Sequence, residues 1–251
     1  MTDQHIHVGG RRVDIEKAAF WIKDYFDETA NREAAALGEG PVYAYPAYDR
    51  LATGSGPNEL NDGDLLAPLV LNAGPSIKAV YSLQRVRPAL ERSLAEIPTN
   101  LTLHTAVEKG THTKLLGDLV SVLDPFGALP GVQLTTLVKV LHRKRPLLIP
   151  LFDDNVRRCY WTREPTAGYP MTRVRNRRDA EFFPLLAGFI DADLERQRED
   201  WTVLASHAPA DTTLLRVFDV VAWRLGRGDA VRPSRGRPEM TWKNAVVIGD
   251  F

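Results

Sequence analysis

Two adjacent carboxylates, Asp153 and Asp154, are the residues of this chain that are best placed to do chemistry. They follow Pro150 and precede Val156, which is a favourable position for a helix N-cap. A carboxylate that is held fixed in this way can stabilise a developing positive charge and orient a water molecule. Asp153 is therefore the candidate catalytic residue, with Asp154 in reserve. The alternative is that Asp153 only caps its helix.

A tight turn with the sequence LPGV lies upstream of this acidic pair, between two helices predicted over residues 114–123 and 134–143. Such a turn leaves several backbone N–H groups at the start of the second helix without internal partners. Together with the helix dipole, these donors form a natural seat for a phosphate group. Gly131, Gln133 and Thr135 are therefore candidate contacts to a nucleic-acid backbone.

This central segment resembles the helix-hairpin-helix superfamily of DNA glycosylases, whose members remove bases from DNA. The family reads LPGVGxKxA, then an apolar helix, a proline-containing link, and an aspartate followed two residues later by His-Val. LPGV matches the turn, and Asp153 lies 18 positions after Thr135, in the family's aspartate position. Gln133 replaces the second turn glycine, and Thr135 replaces the lysine of the lyase-competent branch. The resemblance implies a degenerate member in which Asp153 faces the sugar, stabilises the positive charge formed when the N-glycosidic bond breaks and orients a water molecule. It also implies hydrolysis without a covalent Schiff base.

The strings KVLHRKRPLLIPLFDDNV and LLRVFDVVAW also resemble an uncharacterised, largely actinobacterial family with a KLLARKRPxLxPxxDxxV signature. That family has no established activity. This second resemblance therefore supports the fold more than it supports any reaction.

Positive charge is concentrated after the turn, although the 251-residue chain has a net charge of zero. Residues 139–178 contain eleven Lys or Arg and three Asp or Glu, which is a typical footprint for phosphate contacts. The alternatives are a solvated basic face, or salt bridges to the acidic run at 191–200. The candidate DNA contacts within this stretch are Lys139, Arg143, Lys144, Arg145, Arg157 and Arg158, and the stripe continues through Arg163, Arg173, Arg175, Arg177 and Arg178.

An aromatic loop over residues 41–63 is the candidate base pocket, because a flipped base needs a flat apolar wall and polar groups at its edge. The stacking candidates are Tyr43, Tyr45 and Tyr48, and the polar candidates include Asn58 and Asn61. The alternative is that these tyrosines pin the loop onto the core. In a later helix, Trp223 is expected in the core or an interface, and Arg216 and Asp219 form a structural pair at i,i+3.

Apolar periodicity predicts a mainly α fold with a minor N-terminal β-hairpin, and the resemblance implies a glycosylase-like helix-hairpin-helix arrangement. The hairpin spans residues 5–14, where Gly9-Gly10 separates two short alternating runs. Helices are expected over residues 15–37, 75–97, 179–200 and 212–225, and a polar arm follows Gly226. We expect one helical domain over residues 1–251, or two lobes in which 1–110 and 179–251 flank a hairpin lobe at 111–178.

The composition excludes several functional classes. Cys159 is the only cysteine, so an internal disulfide and a four-cysteine zinc site are both ruled out. His5 and His7 have no carboxylate or cysteine close by in sequence, so neither a metal site nor a cofactor is expected. No apolar run approaches the roughly 20 residues that span a bilayer, and no signal peptide is visible. A cytoplasmic protein without a membrane partner is the expectation.

The sequence therefore favours a monofunctional DNA glycosylase that uses Asp153 and takes DNA as its partner. Its substrate would be a damaged base in DNA repair, or a modified base in foreign DNA, such as phage DNA, in antiviral defence. Two alternatives remain open: a non-catalytic helix-hairpin-helix module that binds nucleic acid, and a helical interaction protein. The oligomeric state is not predicted.

Overall fold

A computed structural model describes residues 5–38, 43–124, 127–162, 168–172 and 177–228. It confirms a mainly helical fold with a small N-terminal β-hairpin. The polar arm after Gly226 extends beyond the last described residue. The helices in the described ranges are α1 (Ile15–Phe26), α2 (Glu28–Leu37), α3 (Asp62–Leu66), α4 (Ile77–Ala95), α5 (Leu103–Glu108), α6 (His112–Val120), α7 (Leu134–His142), α8 (Asp154–Tyr160), α9 (Asp179–Arg196), α10 (Arg198–Ala205) and α11 (Leu214–Arg227).

The N-terminal hairpin pairs strand β1 (His5–Val8) with β2 (Arg11–Asp14) in antiparallel register. Gly9 adopts a φ of +58°, which a side chain would strain, and a Cβ there would lie 2.2 Å from a backbone oxygen of α8. The hairpin therefore packs tightly onto α8. Two very short parallel strands, β3 (Trp161–Thr162) and β4 (Met171–Thr172), were not predicted from the sequence.

Two of the long predicted helices are divided. The helix expected over residues 15–37 breaks at Asp27, whose side chain accepts the N–H of Ala30 and starts α2. The helix expected over 179–200 breaks at Gln197, whose amide side chain exchanges hydrogen bonds with the backbone N–H and carbonyl of His7. At each break, side-chain hydrogen bonds interrupt the helix although the apolar periodicity continues through it.

Helices α8 and α11 pack closely and carry the two sides of the site described below. A Cβ at Gly226 would lie 1.9 Å from the carbonyl oxygen of Asn155, so only glycine fits at this crossing. Near this crossing, Arg11 of the hairpin links the two helices by donating to the carbonyls of Arg158 on α8 and Leu225 on α11. The position of α8 relative to α11 is thus set by backbone contact.

The core is continuous along the described chain, because one connected set of buried apolar residues runs from Ile6 in β1 to Leu225 in α11. Helices α6 and α9 approach closely at Gly117, where a Cβ would meet the carbonyl oxygen of Ala180 at 3.1 Å. Asp124 caps α9 from outside by accepting its first backbone N–H groups at 3.1 Å. A search of the described residues found no helix with the length and apolarity to cross a membrane.

Candidate functional site

A cleft of about 680 Å³ opens between the start of α7, the start of α8, one face of α11, and the chain after residue 43. Its lining mixes aromatic rings with charged and amide side chains. The residues around it are Tyr25, Tyr43, Ala44, Leu71, Asn72, Ala73, Gly74, Gln133, Thr135, Thr136, Lys139, Asp153, Asp154, Asn155, Arg216, Asp219, Val220, Trp223 and Arg227. The cleft therefore contains Asp153 and the helix start that follows the LPGV turn.

The LPGV turn is held rigidly beside the cleft. Gly131 has a φ of +79°, and a Cβ there would meet Ser76 Oγ at 3.0 Å and Ala79 N at 3.2 Å. Ser82 of α4 also donates to the carbonyl of Pro130 at 2.9 Å. At the start of α7, the side chain of Gln133 makes no capping hydrogen bond. Among the described residues, no side chain caps the first backbone N–H groups of this nine-residue helix, so these groups can bind a ligand beside the cleft.

The two carboxylate oxygens of Asp153 have different roles. Oδ1 accepts the backbone N–H groups of Asn155 at 2.8 Å and Val156 at 3.0 Å, so it caps α8. Oδ2 has no hydrogen-bond partner within the part of the chain that the structure describes. The helix cap thus fixes the carboxylate and leaves one oxygen for a ligand. Its neighbour Asp154 also lines the cleft, but it is exposed and pairs with Arg157 at 3.2 Å.

Lys139 is the unexpected charged group of the cleft. It lies one helical turn after Thr135, on the same face of α7, and is only 6% exposed. Its ammonium group has no ion pair or hydrogen bond among the described residues, although Lys144 five positions later has both. Burial lowers the pKa of Lys139, while the charges of Asp219 and Asp153 act in the opposite direction. A buried amine without a partner therefore lines the cleft beside the candidate catalytic carboxylate.

A buried ionic network forms the floor of the cleft. Arg216 is 1% exposed; it contacts Asp219 at 2.5 Å and Asp49 at 3.0 Å, and it donates to the hydroxyl of Tyr25 at 2.6 Å. His142 also lies 3.1 Å from Asp49. Burial would raise the pKa of Asp49, but the hydrogen bond with His142 and the charge of Arg216 hold it at about 2. Burial raises the pKa of Asp219 despite the adjacent Arg216.

Three aromatic rings from three segments form one wall of the cleft. Tyr25 and Tyr43 stack with ring centroids 5.8 Å apart, and Trp223 meets both rings edge-on at 6.4 and 6.2 Å. Tyr43 is anchored through its hydroxyl, which donates to Asp24 at 2.5 Å, and Arg224 lies over its ring at 4.3 Å. Burial raises the pKa of Tyr43 to about 12. The rings are held by one another and by these contacts, and they give the cleft an aromatic side against which a planar ligand can pack.

Only Tyr43 among the predicted base-pocket residues reaches the cleft. Tyr48 is fully buried, donates to the carbonyl of Lys139 and stacks on His142, while Tyr45 is 41% exposed and lies outside the lining. Asn58 accepts from Arg145, and Asn61 caps α3. The structure corrects the expected pocket: the polar segment around these residues packs against the core through its own side chains.

The predicted basic contacts Arg143, Lys144 and Arg145 point into the protein, which corrects their assignment to phosphate. Arg143 and Lys144 meet the buried Asp64 at 3.3 and 3.1 Å. Arg145 is 1% exposed and donates to the carbonyls of Ile97, Pro57 and Leu94. These cations satisfy the backbone oxygens of segments that lack regular hydrogen-bond ladders.

Burial would raise the pKa of Asp64, but hydrogen bonds from Ser55, Asn61 and Thr53 hold it below its usual value. Of the remaining stripe, Arg157 lies over the ring of Trp161 at 5.3 Å, and Arg158 is exposed beside α11. Arg178 pairs with Glu181, and Arg163, Arg173 and Arg175 lie outside the described residues.

Gln133, Thr135, Lys139 and Asp153 are thus brought together as cleft-lining residues, and Gly131 shapes the turn beside them. Sequence reasoning did not assign the other lining residues to the site, and four of them supply its charged floor and aromatic side: Tyr25, Arg216, Asp219 and Trp223. The i,i+3 spacing of Arg216 and Asp219 correctly predicted that they pair, but not that they face the cleft, and Trp223 was expected in the core or an interface. Tyr25 carried no local signal. The amphipathic pattern of α11 was the one available clue, since its polar residues share one face.

A match to a family model covers residues 18–226, so most of the chain is accounted for by one family. The protein belongs to DUF6308, a family of unknown function. No curated protein and no solved structure matched the chain. Function must therefore be argued from the cleft itself.

Proposed function

We propose that this protein is a DNA-binding enzyme of the DNA-glycosylase type, which hydrolyses the N-glycosidic bond of a damaged or modified base in this cleft. One observation carries the proposal: Asp153 presents a free carboxylate oxygen in a cleft that also holds the start of α7 and a stacked aromatic wall. A base, a sugar and a phosphate group each have a complementary surface there. The volume of about 680 Å³ is ample for a nucleotide unit.

In the proposed reaction, the carboxylate faces the sugar as the bond to the base lengthens. Positive charge then develops on the sugar ring, and Asp153 Oδ2 stabilises that charge. The same oxygen accepts a proton from a water molecule that attacks the anomeric carbon. The bond to the base breaks, its electron pair leaves with the base, and the departing base takes up that proton. The two backbone hydrogen bonds on Oδ1 keep the carboxylate fixed during this step. No covalent link to the protein is needed.

The flipped base stacks on the wall of Tyr43 and Trp223, and its polar edge meets the charged floor formed by Arg216 and Asp219. The adjoining phosphate binds the free backbone N–H groups at the start of α7, near Gln133 and Thr135. The basic side chains of residues 143–145 bind partners inside the protein and do not contact DNA. The start of α7 therefore supplies a larger share of the phosphate contacts than the sequence alone implied. The expected affinity is therefore modest and falls as salt increases.

The direct test is an excision screen on duplex and single-stranded DNA that carries varied damaged or modified bases. Asp153→Asn removes the charge and retains a good helix cap, since Asn and Asp cap equally well. We expect release of base by the wild-type protein and at least a hundredfold slower release by this variant. Asp154→Asn is the matched control, because this neighbouring acid lines the same cleft with its charge already paired. Its rate should stay within about threefold of wild type.

The screen also separates the proposal from its alternatives. Abasic product that is unchanged by Asp153→Asn would reject the mechanism. Salt-dependent DNA binding without any base release across the screen would favour a non-catalytic nucleic-acid module instead. Absence of both binding and release would favour an interaction protein. Repair and defence roles differ in the base released, either a damage product or a phage-type modification, so the identity of the hydrolysed base decides between them.

A further inference from the structure

A histidine and three carboxylates meet between α5 and α9, and none of them lines the cleft. His104 Nδ1 lies 3.3 Å from Asp191 Oδ2 and 3.6 Å from Glu195 Oε1, and these three donor atoms all lie within 4.8 Å of one another. The other ring nitrogen, Nε2, lies 3.4 Å from Glu108 Oε1. Each helix contributes an i,i+4 pair, so the cluster is built from regular structure.

We propose that His104, Asp191 and Glu195 bind a divalent transition-metal cation, for which Zn²⁺ is the natural probe, and that this cation ties α5 to α9. The proposal is independent of the reaction in the cleft. It assigns the ring nitrogen Nδ1 and one oxygen from each carboxylate as protein ligands. A water molecule completes the coordination.

The spacing of the donors favours a shared cation over a protonated histidine. Charge-assisted N–H···O bonds in proteins are about 2.7–2.9 Å long. Both carboxylate contacts of His104 Nδ1 are longer: the hydrogen bond with Asp191 Oδ2 spans 3.3 Å, and Glu195 Oε1 lies 3.6 Å away. With zinc–ligand bonds of about 2.0–2.1 Å, a tetrahedral site separates its donors by roughly 3.4 Å. The two separations from Nδ1 are close to that edge, and the two carboxylate oxygens lie within 4.8 Å of each other.

The second ring nitrogen supports the same assignment. Histidines that ligate a metal through one nitrogen almost always donate the other N–H to a carboxylate or carbonyl, which fixes the tautomer. Glu108 occupies that position against His104 Nε2. A neutral histidine without a cation would turn a lone pair toward one of these carboxylates, which is repulsive. The carboxylate–histidine–metal arrangement removes that conflict.

The charges also balance. Arg198 donates through Nε to Glu195 Oε2 at 2.9 Å, which orients that carboxylate and leaves Oε1 directed at the cluster. Of the three carboxylates, one is thus offset by Arg198, and two negative charges remain around the imidazole. A divalent cation neutralises both. The buried position of Asp191, which is 5% exposed, increases the cost of leaving its charge uncompensated.

A second histidine, His112, packs against α9 near the cluster. His112, at the start of α6, has a buried Nδ1 without a hydrogen-bond partner among the described residues. Its other ring nitrogen, Nε2, lies 3.6 Å from the position of a Cβ on Gly188, which is three residues before Asp191 on α9. The ring of His112 therefore packs against the same face of α9 as the cluster.

Zinc binding by tag-free protein tests the proposal through stoichiometry, thermal stability and spectroscopy. We expect one Zn²⁺ per chain by titration calorimetry and a rise in Tm of several degrees. Co²⁺ should give the visible absorption band of a low-symmetry site with a bound nitrogen. Mg²⁺ and Ca²⁺, which prefer sites made only of oxygen, should leave the Tm unchanged.

Substitutions assign the ligands. His104→Gln and Glu195→Gln, both at partly exposed positions, should abolish the cobalt band and the zinc-induced rise in Tm. Glu108→Gln should weaken Zn²⁺ binding by about 10- to 100-fold without abolishing it. The double variant His5→Gln/His7→Gln is the control for the other histidine pair and should bind as wild type does. Circular dichroism verifies that each variant is folded.

Two results would overturn the assignment. One is wild-type affinity for Zn²⁺ that is unchanged in the folded His104→Gln variant. The other is a chain that binds no Zn²⁺ at micromolar concentration, in which case the cluster is a set of ion pairs around a protonated histidine.

Discussion

Replacement of Lys139 by methionine should make the protein more stable and less active. The side chain is 6% exposed and its ammonium group has no ion pair or hydrogen bond among the described residues, so the charges of Asp219 and Asp153 offset only part of the cost of desolvation. Methionine retains a similar unbranched shape and buries it without charge. We expect Lys139→Met to raise the free energy of unfolding by about 1 kcal/mol, the lower end of the cost of burying a polar group without a hydrogen bond.

The gain should depend on pH in a defined direction. Because burial lowers the folded-state pKa of Lys139, the cost is complete at pH values below that folded pKa. It diminishes as the pH rises from the folded pKa toward the unfolded value of 10.5, where the unfolded chain also loses its proton. The advantage of Lys139→Met should therefore be largest at neutral pH and disappear near pH 11. At neutral pH, about 1 kcal/mol corresponds to a rise in Tm of roughly 2–4 °C.

Lys144→Met is the matched control, since this lysine is equally buried but pairs with Asp64 at 3.1 Å and Ser55 at 2.7 Å. Breaking such a pair leaves a buried carboxylate less compensated, so we expect a loss of about 3 kcal/mol. Denaturant unfolding at pH 7 and pH 10, together with DNA binding by each folded variant, measures these effects. Equal destabilisation by the two substitutions would refute the reasoning, because it would mean that Lys139 is a structural cation. Unchanged DNA binding in Lys139→Met would remove it from the site.

Three further outcomes follow from the geometry. Asp49→Asn should lower the free energy of unfolding by about 2 kcal/mol at pH 7, because the pKa of Asp49 is lowered to about 2 in the folded state. This stability is present above the unfolded pKa of 3.8 and is lost as the pH falls through about 2. In acid unfolding, the difference in stability between wild type and variant should therefore disappear near that pH. Gly226→Ala should cost about 3 kcal/mol in denaturant unfolding, since its methyl group would collide with the carbonyl of Asn155, and a stability equal to wild type would contradict the tight crossing of α8 and α11. Trp223→Leu should raise KM for the DNA substrate by about tenfold with a smaller change in kcat, because stacking on one aromatic ring is worth about 1–3 kcal/mol. An effect on kcat alone would argue against a base wall.

The arrangement of the cleft explains why stability and activity should oppose each other there. Three polar groups without a partner among the residues that the structure describes lie around one opening: the amine of Lys139, one carboxylate oxygen of Asp153 and the start of α7. Each is a feature that a protein optimised only for stability would compensate internally. Their coincidence beside a rigid aromatic wall is the structural basis for treating this cleft as functional.

Local patterns in the sequence determined where many of the elements begin and end. The start of α7 after the LPGV turn, the hairpin around Gly9-Gly10 and the cap of α8 by Asp153 are all local, because a turn or cap depends on residues within a few positions of each other. The separation of Asp153 from Thr135 was also visible in the sequence, and both residues line the same cleft.

Only the tertiary structure decided which charges face inward. Arg143 and Arg145 belong to a run of basic residues that is typical of a DNA-binding surface, yet they satisfy carbonyl oxygens and carboxylates of segments about 50 to 90 positions away. Lys139, by contrast, was one member of the same run and proved to be the unpaired amine of the cleft. The meeting of His104 with Asp191, 87 positions apart, was equally invisible, because periodicity records which face of a helix is apolar and not which distant helix packs against it.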